Sequence, residues 1–209
     1  MDTPVVFLLD DDKSIVEALG RVLRAEGYPV RTWTSALQFL EEHEPAVPGC
    51  LVADVLMPHL SGLDLQHALL TCGSHRPIVF ITGQGDIPMS VQAMKAGAVT
   101  FLSKPVARTE LLAAVREAIE KDAAFRAANC ERLAIQSRVE RLTPRELQVL
   151  HLVTRGLLNK QIAAQLGAAE KTIKVHRARV MQKMQVRSAA ALVGLLSSHP
   201  QALGLIQAG

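Results

Sequence analysis

Four short apolar runs in the first half of the chain each stop at a carboxylate, a hydroxyl or an ammonium group. Val5–Leu9 runs into Asp10-Asp11-Asp12, Cys50–Ala53 into Asp54, Pro77–Ile81 into Thr82-Gly83, and Val99–Ser103 into Lys104-Pro105. Apolar stretches this short, bounded by polar or Gly/Pro residues and separated by helical patterns, read as buried parallel strands. In an open α/β sheet the ligand site lies at the carboxyl ends of the strands. The four terminal groups are therefore expected to meet at one edge of one sheet.

The segments between these runs carry helical spacing. Ile15, Val16, Leu19, Val22 and Leu23 share one face of a helix over Ser14–Glu26, which Gly27 closes. A strand near Pro29–Trp33, a helix near Ser35–Glu42, and helices over Leu63–Leu70, Ile87–Ala96 and from Thr109 complete five β–α repeats. Such alternation predicts a doubly wound, five-stranded parallel sheet covered by helices on both faces, occupying residues 1–122. Residues 123–141 read as a mostly helical linker with Leu133, Ile135 and Val139 as packing points.

From Leu142 the pattern is purely helical, and residues 142–209 form a second, small all-α domain. Thr143-Pro144-Arg145-Glu146 is a capping box with proline at the first helical position. Asn159 is expected to cap a second short helix that Gly167 ends, followed by a helix over residues 169–184 and another over 189–196. Two short helices joined by a tight glycine turn, the second one basic, fit a helix-turn-helix.

Charge divides the chain in the same places. Residues 1–120 hold 9 Lys+Arg against 15 Asp+Glu, net −6; residues 121–142 are net +2; residues 143–209 hold 9 against 2, net +7. An acidic first part and a basic last part imply different partners, the second one polyanionic. No stretch approaches the ~18 apolar residues of a membrane span, and no signal-peptide pattern opens the chain. A cytoplasmic protein without a membrane partner is expected. Cys50, Cys72 and Cys130 are odd in number and isolated, as reduced thiols would be.

At the sheet edge, Asp10, Asp11 and Asp54 would crowd three carboxylates together. Like charges at that range repel unless a cation neutralises them. An oxygen-only set suits Mg²⁺ (or Mn²⁺), leaving Asp54 ionised as a nucleophile. Lys104 offers a point charge for phosphoryl oxygens and Thr82 a hydroxyl.

The segments VFLLDDD, LVADVLMPHLSG, VFITGQGD and AMKAGAVTFLSKP resemble the receiver domain of two-component response regulators. The resemblance implies that Asp54 accepts phosphate from a histidine kinase and that Asp10 with Asp11 hold the metal. It further implies that Thr82 and Lys104 sense the phosphoryl group, that Phe101 is an aromatic switch, and that the Leu56 backbone carbonyl adds a metal ligand. LTPRELQVL, GLLNKQIAAQLG and TIKVHRARVMQKM resemble the DNA-binding domain of NarL/FixJ (LuxR-type) regulators. Lys160, Lys171, Thr172, Lys174, Val175, Ala178, Arg179 and Lys183 are then the candidate contacts to double-stranded DNA, with dimerisation following phosphorylation. The chain is expected not to be an enzyme in the ordinary sense. A haloacid-dehalogenase type of phosphohydrolase would need a general acid two residues after the nucleophile, where Leu56 stands.

Overall fold

The structure, a computed structural model, describes residues 3–83 and 87–199, with residues 87–90 by backbone alone. Residues 84–86 of the TGQGD segment and residues 200–209 of the expected second domain lie outside the described residues. The chain divides into two units, Met1–Arg126 and Ala127–Gly209.

The first unit alternates strands and helices in sequence: β1 (Val5–Leu9), α1 (Lys13–Ala25), β2 (Val30–Trp33), α2 (Ala36–Glu42), β3 (Gly49–Asp54), α3 (Gly62–Thr71), β4 (Ile78–Thr82), α4 (Ile87–Lys95) and β5 (Thr100–Ser103). The five strands are parallel and lie in the order β2-β1-β3-β4-β5. The chain order reverses direction between β1 and β3, the switch point where such sheets bind ligands.

Strand alternation splits the core into two layers. Phe7, Leu9, Leu51, Ala53 and Phe80 face one side with Phe39 and Leu65, while Val6, Leu8, Cys50, Val52, Val79 and Ile81 face the other with Leu23, Leu111 and Val115. Strands buried on both faces explain why their sequences are continuous apolar runs rather than alternating ones.

Helix α5 spans Arg108–Glu140 and is continuous through the expected linker. Leu111, Ala114, Val115 and Ala118 seal the first unit's core. Its last turns supply Ile135 and Val139 to the core of the second unit, so that core starts before residue 142. Leu133, expected to pack, is 50% exposed instead.

The second unit contains α6 (Pro144–Thr154), α7 (Asn159–Leu166), α8 (Glu170–Met184) and α9 (Ala189–Ser197) around Val149, Leu150, Ile162, Ile173, Val180, Met184 and Leu192. Thr143 caps α6 and forms the expected box with Glu146. The expected cap of α7 is corrected by one residue: Leu158 holds the cap position and Asn159 is the first helical residue. The Asn159 carboxamide oxygen accepts instead from Arg177 at 3.0 Å, tying α7 to α8.

Glu146 is 2% exposed and has two partners, the Thr143 N–H at 2.9 Å and the Lys183 ammonium at 2.6 Å. Burial works against its charge, but the Lys183 and Thr143 donors outweigh it and hold the carboxyl below the glutamate value of 4.5. Because the folded pKa is depressed, the stabilisation is present above the unfolded value and is lost as pH falls through the folded one. Glu146→Gln is expected to cost about 2 kcal/mol at neutral pH. It should also flatten the loss of stability below pH 4.5, measured by hydrogen exchange of α6 and α8 amides.

Candidate functional site

Register brings the four strand ends together. Leu9 pairs with Ala53, so Asp10 and Asp54 end neighbouring strands side by side. Thr82 pairs with Ser103, which places Lys104 just past the next strand pair. Across β4, the Lys104 ammonium reaches both carboxylates, 2.8 Å from Asp10 Oδ2 and 2.8 Å from Asp54 Oδ2. A Cβ added at Gly83 would meet only Lys104 Cδ, at 4.0 Å, an ordinary contact, so the lysine stem has room whatever small residue stands at 83.

Asp10, Asp54 and Thr82 are 1%, 6% and 7% exposed, whereas Asp11 faces solvent. Carboxylate oxygens of Asp10, Asp11 and Asp54 lie within 4.8 Å of one another, an oxygen donor set that fits a hard divalent ion. Asp12 is outside this set. Its Oδ1 accepts from the Ser14 N–H at 2.8 Å as the cap of α1, and bonds from the Ser14 hydroxyl and N–H hold its carboxyl below the usual value. Burial pushes the Asp10 carboxyl up despite the Lys104 and Asp12 N–H donors. Burial alone would lower Lys104, but its bonds to Asp10 and Asp54 prevail and hold the ammonium above its usual value.

The loop after Asp54 is held close to the sheet. The Gly62 N–H donates to Val55 O at 2.8 Å, and a Cβ there would stand 2.6 Å from Asp54 O and 2.8 Å from the Phe80 ring. Only glycine permits that approach. The Leu56 N–H donates to Asp54 Oδ1 at 3.3 Å, and the side chain of Leu56 is 50% exposed, offering no group for acid catalysis. Phe101 packs on Phe80 with ring centroids 5.2 Å apart and is only partly buried. With Val91, Met94, Lys95 and Thr100 it lines a shallow hollow on the face of α4 and β5.

In the second unit, α8 turns one face inward and another outward. Ile173, Val180 and Met184 are buried, while Lys171, Thr172, Lys174, Val175, Ala178 and Arg179 are exposed. Lys171, Lys174, Val175 and Ala178 share one stripe by their three- and four-residue spacing. Lys174 is paired with Glu170 at 3.3 Å in an exposed contact, and Lys160 on α7 is exposed. Lys183, expected at a DNA phosphate, lies at the C-terminal end of α8 and is only partly exposed. Its ammonium is committed to Glu146 and to Arg141 O at 3.0 Å, because α8 packs its C-terminal half against the start of α6. The anchoring role of Arg177 was not foreseen either, although an Asn beginning a helix and an Arg on its neighbour are a natural donor–acceptor pair.

A parallel doubly wound sheet with a lysine-bridged carboxylate cluster at its switch point, joined to a helix-turn-helix with a cationic outer face, defines a receiver coupled to a DNA-binding module. Residues 6–116 match the response regulator receiver domain, and residues 140–196 match the bacterial regulatory proteins of the luxR family. Nodulation protein W of Bradyrhizobium diazoefficiens is 49% identical over 203 residues, covering 94% of this chain and 89% of that protein. The response regulator protein TodT of Pseudomonas putida is 46% identical over 190 residues, 90% of this chain and 83% of its own length. The solved structure of the response regulator StyR superposes with a TM-score of 0.87 at 48% identity, covering 94% of this chain and all of that one. The chain belongs to the NarL/FixJ family of response regulators, transcriptional regulators that pair a receiver with a LuxR-type DNA-binding domain.

Lys104 is the counter-charge for two buried carboxylates, so its loss leaves them facing each other. In chelator-containing buffer Lys104→Ala is expected to cost about 3 kcal/mol. Asp10→Asn in the same background should recover most of that loss. Urea unfolding followed by fluorescence of the buried Trp33 measures both.

Proposed function

We propose that phosphorylation of Asp54 by a histidine kinase switches this cytoplasmic regulator from a resting state to a homodimer that binds promoter DNA sequence-specifically. The observation that carries this reading is the Asp54 carboxylate at a strand end, 2.8 Å from Lys104 and beside Asp10 and Asp11. Asp10, Asp11, Asp54 and the Leu56 carbonyl would hold Mg²⁺ or Mn²⁺, which when bound supplies charge neutralisation for an incoming phosphoryl group.

The remaining chemistry belongs to the chain. An Asp54 oxygen attacks phosphorus, the bond from phosphorus to the donor's imidazole nitrogen breaks, and its electron pair leaves on that nitrogen. Lys104 exchanges its carboxylate contacts for a phosphoryl oxygen, and the Thr82 hydroxyl donates to another. Catalysis of this kind is positioning and charge stabilisation, consistent with a phosphoacceptor that is not an enzyme in the ordinary sense.

The movement of Lys104 and Thr82 would bias the face of α4 and β5, with Phe101 following. Val91 and Met94, 45% and 47% exposed, offer that face apolar area for a second copy of the chain. Incubation with acetyl phosphate and Mg²⁺ is expected to add one phosphate, read by intact mass, and to raise the mass seen by light scattering. Asp54→Asn or chelation of divalent ions should abolish both, and labelling that survives either one would refute the assignment.

On DNA, the exposed stripe of α8 would enter the major groove. Lys174 can reach guanine O6 or N7, Val175 a thymine methyl, and Ala178 allows close approach. Lys160, Lys171, Thr172 and Arg179 would meet phosphates and fix register. Lys183 is left out of this set by its bond to Glu146. Lys174→Ala is expected to cost about 1–3 kcal/mol on the specific duplex and little on a scrambled one. Lys160→Ala should weaken both equally and lower the salt slope by about one unit. Titrations of each variant on both duplexes at several salt concentrations separate the roles.

A further inference from the structure

Helix α5 changes its mode of attachment before it leaves the first unit. After Ala118 its buried contacts turn polar. Asp122 is 3% exposed, and its Oδ2 accepts from the Gly49 N–H at 2.8 Å and from Arg126 Nε at 2.7 Å. The Nη1 and Nη2 groups of Arg126 donate to three consecutive carbonyls, those of Pro45, Ala46 and Val47, each at 2.9 Å. Arg76 approaches the same loop, donating to Glu44 O at 2.8 Å and Val47 O at 3.1 Å, with its guanidinium 3.9 Å from the Phe7 ring centroid.

The loop's sequence explains why it collects cations. Pro45 and Pro48 bring no N–H, so the segment between α2 and β3 has more acceptors than donors. Two guanidiniums satisfy the surplus, and the Asp122 carboxylate offsets part of their charge. Gly49 adopts φ 138°, and a Cβ there would stand 1.8 Å from Val5 O, so only glycine presents its N–H to Asp122 in this way.

Two further facts give this cluster a direction. Residues 127–134 include no buried residue, so Arg126 is the last anchor of α5 before that stretch. The strands that begin beside the cluster, β3 and β4, end at Asp54 and Thr82.

We propose that Arg126 is a positioning residue: seated on Asp122 and the 45–47 carbonyls, it fixes the exit of α5 from the receiver and carries the receiver's state into the linker. The coupling part rests on the phosphorylation reading above, whereas the anchoring part does not. A guanidinium can span three carbonyls and a carboxylate at once, and a lysine ammonium cannot.

The test compares full-length wild type, Arg126→Ala and Arg126→Lys, with acetyl phosphate as phosphodonor. The DNA probe is a duplex recovered from a random pool by the wild-type protein. Labelling of all three should agree within about twofold, since Arg126 is remote from Asp54. Amides of residues 120–134 should exchange about tenfold faster in Arg126→Ala, with Arg126→Lys between the two. The gain in DNA affinity on phosphorylation should fall to about twofold or less in Arg126→Ala. Unchanged exchange, or a gain equal to wild type, overturns the proposal. If wild type itself gains nothing from phosphorylation, the phosphorylation reading and the coupling that rests on it fall together. Exchange alone then judges the anchor, acceleration supporting it and equality rejecting it. Should Arg126→Ala fail to fold, Arg126→Lys against wild type decides the same question.

Discussion

One ammonium group lets two buried carboxylates share the edge of a sheet. Asp10 and Asp54 end neighbouring strands, and both are withdrawn from water. Burial pushes the Asp10 carboxyl up, and the Lys104 ammonium bonded to it works against that push. Lys104 reaches both from the end of β5, two strands from β3 and three from β1. The arrangement makes demands on distant positions. Gly62 must let the following loop lie against Asp54. The strand register must hold to the residue, since a slip by one would turn these groups onto the other face.

The two units solve opposite electrostatic problems. The receiver concentrates negative charge where a cation and a phosphoryl group could be accommodated. The helix-turn-helix spreads positive charge along an exposed stripe and turns two cations inward, Lys183 to Glu146 and Arg177 to Asn159, to hold α8 in place. A recognition helix gains from such internal ties, because a side chain aimed at a base edge is only as well placed as the helix beneath it.

Much of this was legible from spacing alone. The strands, their order of use and the meeting of Asp10, Asp54, Thr82 and Lys104 follow from apolar runs of strand length and from where α/β sheets place their ligands. The capping box at Thr143 located the second unit for a local reason, since caps are encoded within four residues. What escaped was non-local. No pattern announces that Lys183 folds back onto Glu146, or that Leu133 stays exposed while Ile135 is buried, because each depends on how a helix face meets elements far along the chain. The Asp122–Arg126 pair has helical spacing, yet its backbone acceptors lie some eighty positions earlier and leave no trace near it.

The continuous helix α5 also bears on how such proteins are assembled from parts. Its early turns complete one hydrophobic core and its last turns, through Ile135 and Val139, complete another. A recombination event that exchanged output modules at the start of α6 would therefore deliver a DNA-binding unit lacking three of its buried residues, Ile135, Val139 and Leu142, and a receiver ending in an apolar face with nothing to cover it. The tolerable crossover lies inside the helix, among residues 127–134, where no side chain is buried. The seam between inherited modules would thus fall within a regular element, and joining two halves there requires only that the helical phase be kept.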